Sequence, residues 1–125
     1  MGIHINFAPV VDINTNPKNP IIGNRSYGES KFNVARKAVS FTKGLQSEGI
    51  LACAKHFPGH GDTSKDSHKT LPTIAFNKKR ILDVEFITFI IVFEDKFSFL
   101  NQNRKHLLIR KSVSALLKLM LLTKP

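Results

Sequence analysis

The sequence lacks several features that define major protein classes. It has one cysteine, Cys53, and no tryptophan, so no internal disulfide can form and a disulfide scaffold is excluded. The apolar run Phe86 to Phe93 is far shorter than the roughly 20 residues that a membrane-spanning helix needs. The chain opens with neither a charged start nor an apolar run of signal length, so any export signal would lie outside it. We expect no transmembrane span and leave the compartment open.

Glycine and proline are missing from most of the second half. All seven glycines lie at or before Gly61, and no proline stands between Pro72 and Pro125. Repeated strand and helix units need such residues at their turns. We therefore divide the chain into residues 1–85 and a divergent tail, residues 86–125. The tail is either a separate apolar element or the product of a frame change in a gene rich in adenine and thymine, which we favour.

Positive charge is in excess but is not concentrated. The chain has 19 lysine and arginine residues against 9 aspartate and glutamate residues, a formal net charge of +10. Such a charge favours anionic partners, so a basic nucleic-acid-binding module is one alternative. The basic residues are spread along the chain, and no nucleic-acid-binding motif is present. A helix over residues 107–122 would be amphipathic, either as an ordinary helix or as one lying on an anionic membrane surface.

Strands and helices alternate in the first part of the chain. Ile5 to Val11 has strand character and ends at Asp12, and Ser30 is a candidate N-cap for a helix that ends at Gly49. An apolar stripe marks that helix: Val34, Ala35, Ala38, Val39, Phe41 and Leu45.

A second strand follows the helix. Ile50 to Ala54 is apolar throughout, as expected of a strand buried on both faces, with Cys53 as a small buried thiol. A polar loop and a further helix come next. The order predicts a parallel sheet with crossover helices, with polar residues at the carboxyl ends of the strands.

The loop from Lys55 to Pro72 is the densest polar region. It holds three of the five histidines, and three interpretations compete. The first is a solvated surface loop. The second is a zinc site built on His56 and His60, although Pro58 and Gly59 argue against the helix that would align them. The third is acid–base chemistry.

The acid–base interpretation rests on a carboxylate two residues from an imidazole. Asp66 can accept the Nδ1 hydrogen bond of His68 and orient its ring, which can then donate and accept protons near neutral pH. Lys55 and His56, at the end of the second strand, would supply hydrogen-bond donors to hydroxyl groups. Sugars suit such a set of residues.

Three segments carry a family resemblance. They are Gly23 to Gly28 (GNRSYG), Lys55 to Thr63 (KHFPGHGDT), and Asp66-Ser67-His68 followed by Leu71-Pro72. In this order and spacing they resemble glycoside hydrolase family 3, in its bacterial β-N-acetylhexosaminidase branch. Ala8 to Asp12 is similar to the family's strand before the arginine loop. The resemblance covers residues 3–85.

This resemblance implies a fold, a reaction and a set of site residues. The fold would be part of an α/β (β/α)₈ TIM barrel, with about three βα units present. The reaction would be retaining hydrolysis of terminal β-linked N-acetylglucosamine or related β-glycosides, with a carbohydrate substrate such as a cell-wall fragment and no metal or cofactor. His68 would be the general acid and base, and Asp66 its orienting partner. Arg25, Lys55 and His56 would bind sugar hydroxyls.

One element of the family's pattern is missing. Nothing after Pro72 resembles the short motif that carries the family's nucleophilic aspartate. We therefore expect the 125-residue chain to be an internal piece of an enzyme without glycosidase activity of its own. A non-catalytic sugar-binding remnant is the alternative closest to this interpretation.

Overall fold

The structure is a computed structural model that describes residues 2–64 and 76–100, with side chains up to residue 93. The chain forms two compact units, residues 1–95 and residues 96–125. All the elements except the end of the last helix belong to the first unit.

Two short parallel strands form the sheet. Strand β1 (Ile5–Asn6) pairs with strand β2 (Leu51–Ala52), with Ile5 opposite Leu51. The pairing resumes further along, where the Val11 amide donates to the Lys55 carbonyl at 2.7 Å and the Lys55 amide donates to the Pro9 carbonyl at 3.0 Å. Pro9 has no amide hydrogen to give, which helps to explain why the regular ladder stops before it. The predicted parallel arrangement is confirmed, with shorter regular strands.

Helix α1 (Lys31–Ser47) connects the two strands. Ser30 occupies the predicted N-cap position and its carbonyl accepts from the Val34 amide at 2.9 Å, but its hydroxyl makes no capping bond. Gly49 follows the helix with a φ of +74°, a left-handed conformation that favours glycine and ends the helix as predicted.

The apolar stripe of α1 is confirmed for only some of its residues. Val34, Ala35 and Ala38 are buried, whereas Phe41 is exposed and packs its ring against Tyr27 at a centroid distance of 6.5 Å. Thr42, the residue after Phe41, is buried instead.

A second helical region runs from residue 78 to residue 100. It consists of α2 (Lys78–Arg80), a wider π-helical segment (Ile81–Phe86) and α3 (Ile87–Leu100). The side chain of Asn77 caps its start by accepting from the Arg80 amide at 2.9 Å. The predicted helix after the polar loop is thus present.

The core joins the segment after β1 to α1 and α3. Its central residues are Val11, Ala38, Phe89 and Val92, and the partly buried side chains packed against them are Tyr27, Val39, Ala54 and Phe93. Phe86 is also buried. Residues on both sides of position 85 therefore contribute to one core, while the domain boundary placed there stays a prediction.

Strand β2 is not buried on both faces, so that prediction is wrong. Leu51 is 47% exposed, and Cys53, expected to be a buried thiol, is exposed as well. The reason is that β2 pairs only with β1 among the described residues and is covered by α1 on one side. The other face, which carries Ile5, Phe7, Leu51 and Cys53, is open to solvent.

The predicted fold class, part of an α/β TIM barrel, is confirmed. The described residues contain two strands, each followed by a helix, with parallel pairing across the α1 crossover. Within residues 2–64 and 76–100, no helix is long and apolar enough to cross a membrane. The amphipathic segment of residues 107–122 lies outside the described residues.

Candidate functional site

Asp12 directly follows residues 9–11, where the pairing that begins in β1 resumes (the β1 segment), and it organises the site. Only 1% of this residue is exposed. Its Oδ2 accepts from the His56 amide at 3.1 Å and lies 2.6 Å from His56 Nδ1, while its Oδ1 accepts from the His60 amide at 2.7 Å. One buried carboxylate thereby fixes both ends of a five-residue turn that follows β2.

The partners of His56 define its tautomer. Nδ1 faces the Asp12 carboxylate and therefore carries a hydrogen, whereas Nε2 lies 3.3 Å from the Arg25 guanidinium, which can only donate. This arrangement suits the tautomer with its hydrogen on Nδ1, in which Nε2 accepts. Because its side chain is 31% exposed, this end of the ring is within reach of a ligand.

Arg25 reaches the same place from a different loop. It ends a 3₁₀ turn (Gly23–Arg25), and its guanidinium also donates to the Ile21 carbonyl at 3.1 Å. Lys55, next to His56, is held at the strand end by its backbone bonds to the β1 segment. The structure therefore brings Arg25, Lys55 and His56, the three predicted sugar-binding residues, to one edge of the sheet.

The contacts of His60 are all within the protein and fix the loop that carries it. It is buried, and its Nδ1 lies 2.5 Å from the Thr63 hydroxyl. The side chain of Asn19 donates to the His60 carbonyl at 2.7 Å and to the Gly61 carbonyl at 3.0 Å. The His56 and His60 rings meet edge to face, with centroids 5.9 Å apart.

These contacts bear on the zinc interpretation. The Nδ1 atoms of both rings are already hydrogen-bonded, and the described residues contain no group of three or more His, Cys, Asp or Glu side chains that could hold a metal ion. The absence of a metal stays a prediction for the whole chain.

The loop of residues 59–63 packs tightly against neighbouring segments, with no room for a side chain at Gly61. A Cβ atom placed on Gly61 would lie 1.8 Å from the Ile13 carbonyl oxygen. Beyond it, the Asp62 carboxylate accepts from the Thr15 hydroxyl and lies 3.1 Å from the Arg80 guanidinium. The loop is thus fixed on one side to the segment after β1 and on the other to α2. We call residues 59–63 the glycine loop.

Glu85 is a buried acid beside this loop. It is 1% exposed, and its carboxyl group lies beside the Asp62 carboxylate and the Gly61 amide without a hydrogen bond of regular geometry to either. Burial raises the pKa of Glu85 to about 7, and the negative charges of Asp62 and Asp12 act in the same direction.

Two predicted catalytic residues, Asp66 and His68, lie outside the described residues. Sequence reasoning missed other residues that shape the site. Asp12 was recognised as a polar residue at a strand end but received no role, and Asn19 and Glu85 received none. The position of Asp12 after an apolar strand was the available signal, because ligands of parallel sheets bind at that edge.

Comparisons with known proteins identify the family of the chain. Residues 1–100 match the family model described as glycosyl hydrolase family 3 N terminal domain. The chain belongs to this family. It is 42% identical over 89 residues to β-hexosaminidase A of Pseudoalteromonas piscicida, covering 71% of this chain and 15% of that protein.

Solved structures give the same result. The chain resembles a glycoside hydrolase family 3 β-N-acetylglucosaminidase from Paenibacillus sp. str. FPU-7, with a TM-score of 0.71 and 48% identity over 73% of this chain and 17% of the other. It also resembles NagZ from Neisseria gonorrhoeae, with a TM-score of 0.65 and 38% identity over 72% and 26% of the two chains. The resemblance to the β-N-acetylhexosaminidase branch is confirmed, and the chain spans only about a sixth to a quarter of these relatives.

Proposed function

We propose that this family 3 chain supplies the sugar-binding edge of a glycosidase barrel. The enzyme would hydrolyse terminal β-linked N-acetylglucosamine, or a related β-glycoside, with retention of configuration. The names of the relatives support this assignment, since a β-hexosaminidase and a β-N-acetylglucosaminidase are 42% and 48% identical to this chain. The substrate class would be a carbohydrate, including cell-wall fragments.

The observation that carries the proposal is the hydrogen-bonded series Asp12, His56 and Arg25. The buried carboxylate sets the His56 ring, and the ring's Nε2 and the exposed Arg25 guanidinium together offer one acceptor and several donors. A sugar hydroxyl both donates and accepts, so it can insert between these two groups and bond to both. Lys55, next in the chain to His56, adds a cationic donor for a second hydroxyl.

The proton transfers are assigned to residues outside the described part. In this proposal His68 protonates the glycosidic oxygen as the aglycone leaves and later takes a proton from the attacking water, and Asp66 holds its ring. Retention also requires a nucleophile on the opposite face of the sugar, and no segment of the sequence resembles the family motif for it. We therefore expect the 125-residue chain to bind the sugar without turning it over.

Titration of the isotopically labelled chain with N-acetylglucosamine, followed by nuclear magnetic resonance, tests the binding. We expect shifts at the His56 ring nitrogens and the Arg25 side chain. Arg25→Ala should weaken binding about tenfold or more, because a hydrogen bond to a charged group contributes about 1.5–3 kcal/mol. Arg36→Ala removes an exposed arginine from α1 and is the matched control, expected to bind like the wild type.

Three results would contradict the proposal. The absence of any shift at His56 at saturating sugar would remove the binding site. Turnover of an aryl N-acetyl-β-glucosaminide that His68→Ala abolishes would show that the chain is itself catalytic. Binding of duplex DNA that weakens steeply with salt would favour the nucleic-acid-binding alternative instead.

A further inference from the structure

Glu85 occupies a position that the packing pattern reserves for an apolar side chain. It precedes Phe89 by four residues and Val92 by seven, so all three share the buried face of the helical region. Phe89 and Val92 belong to the core. A carboxyl group at such a position breaks the local pattern, and such breaks concentrate at functional sites.

The side chain of Glu85 directly contacts the glycine loop. A Cβ atom built on Gly59 would lie 2.5 Å from both the Cβ and the Oε2 of Glu85, so only a glycine leaves room for this acid. Phe57, two residues before Gly59, strengthens the same junction, with its ring 5.4 Å from Phe86 and 5.5 Å from Phe89 between centroids. The turn that starts at His56 therefore rests on the helical region through Glu85 and its neighbours.

The surroundings of Glu85 are mainly acidic. The titratable and charged groups on the elements around it are Asp12 after β1, His60 and Asp62 in the glycine loop, and Arg80 in α2. Arg80 pairs with Asp62, at 3.1 Å, rather than with Glu85. Asp12 is occupied by His56 and His60. Among the described residues, no cationic side chain pairs with Glu85.

We propose that Glu85 is a positioning residue for the glycine loop, holding it closed as a neutral acid and releasing it as a carboxylate. In its neutral form it packs against Gly59 without repelling Asp62. When it ionises, three negative charges share a buried space with one guanidinium. Because the His60 amide is one of the three donors to Asp12, displacement of the loop also disturbs the carboxylate that orients His56.

The direction of the pH dependence follows from the raised pKa. The folded value of about 7 lies above the ordinary value of 4.5, so the folded chain binds the proton more tightly than the unfolded chain. The contribution of neutral Glu85 is therefore fully present below pH 4.5. It is lost as the pH rises through about 7.

Carbon-13 labelling of the glutamate carboxyls tests the proposal directly. We expect the Glu85 carboxyl to titrate with a midpoint of about 7, together with the amides of Gly59 and Gly61. In Glu85→Gln, a neutral mimic of the protonated acid, those amides should keep their low-pH positions throughout, apart from any contribution of the histidines. Asp83→Asn is the matched control, because Asp83 lies on the same helical segment but is exposed and paired with Lys79.

Each alternative outcome contradicts the proposal. A Glu85 midpoint near its ordinary value would show that the acid is not held neutral. Amides of the glycine loop that titrate in Glu85→Gln as they do in the wild type would show that Glu85 does not control the loop. A Glu85→Gln chain that is unfolded at pH 6 would contradict it too, since the neutral form is the one proposed to hold the loop.

A further consequence rests on the proposed function. If His56 binds the sugar, the affinity for N-acetylglucosamine should fall above the Glu85 midpoint, by up to about tenfold per pH unit, and Glu85→Gln should remove this fall. A loop titration without any sugar binding would overturn the proposed function and leave the role of Glu85 intact. Sugar binding without any titration of the loop amides would overturn the role of Glu85 and leave the proposed function intact.

Discussion

Asp12 accepts three hydrogen bonds, and removing its charge should affect both the fold and the site. In Asp12→Asn one of the two side-chain oxygens is replaced by an amide NH2 group, which can only donate. At least one of the three donors from His56 and His60 then faces an N–H group instead of an acceptor. We expect the free energy of unfolding to fall by about 1–3 kcal/mol, measured by denaturant titration.

The same substitution has a spectroscopic signature. Nitrogen-15 spectra of the wild type should show a hydrogen on Nδ1 of His56 at neutral pH, and Asp12→Asn should shift the population towards the Nε2 tautomer. Asp83→Asn should leave His56 unchanged. An unchanged tautomer in Asp12→Asn would mean that the carboxylate does not orient the ring.

At this scale, short motifs predicted which residues come together, while their role in binding stays a prediction. Arg25, Lys55 and His56 were predicted as one group, and the structure places them together. The role of Asp12 was not predicted, because its partners lie 44 and 48 residues away and no local pattern indicates which donors it meets. Glu85 was missed for a similar reason, since its burial depends on the glycine loop.

The glycine loop is the element whose geometry leaves least room for change. Gly61→Ala would place a methyl group against the Ile13 carbonyl oxygen, at a distance no atom pair tolerates, so the loop or the segment after β1 must move. We expect a loss of about 1–3 kcal/mol in the free energy of unfolding. We also expect weaker binding of N-acetylglucosamine, because the displaced loop carries the His60 amide.

Gly44 provides the matched control within the same chain. It is an exposed position in α1 where an added Cβ meets nothing within 4 Å. Gly44→Ala should therefore raise the free energy of unfolding by about 0.5–1 kcal/mol, since alanine is the better helix former. If both alanine variants changed stability equally, the contact between Gly61 and Ile13 would not be the cause.

The elements themselves were largely predictable, and their burial was not. Periodicity and end signals correctly indicated the strand, helix, strand and helix order, and Gly49 marked the end of α1. The apolar run around Cys53 predicted a strand covered on both faces. Apolar composition records what a strand can bury, whereas actual coverage depends on neighbouring elements, and the described residues place α1 on only one side.

At the scale of the molecule, the open face of the sheet makes the isolated chain prone to self-association. Ile5, Phe7 and Leu51 stand side by side on it, and Phe7 is 69% exposed. In a closed barrel such side chains fill the interior together with those of other strands. Exposed apolar groups beside unpaired strand edges promote association. We expect the isolated chain to self-associate increasingly as its concentration is raised, as measured by light scattering.

Charge placed on this face should suppress the association. Phe7→Lys should keep the chain monomeric at concentrations at which the wild type forms larger species. Phe32→Lys adds the same charge at an exposed phenylalanine of α1 and is the control, expected to associate like the wild type. Equal suppression by both variants would point to net charge rather than to the face of the sheet.

The exposed sulfur of Cys53 makes this face directly measurable. It is the only thiol of the chain and lies two residues from Leu51, on the side of β2 that α1 does not cover. Its alkylation rate by a maleimide therefore reports how accessible that side is, with no engineered label. A polypeptide that docks there would protect the thiol from alkylation, whether it is a second copy of the chain or a complementing strand supplied in trans. The decrease in the alkylation rate would rank such polypeptides by how completely they cover this face.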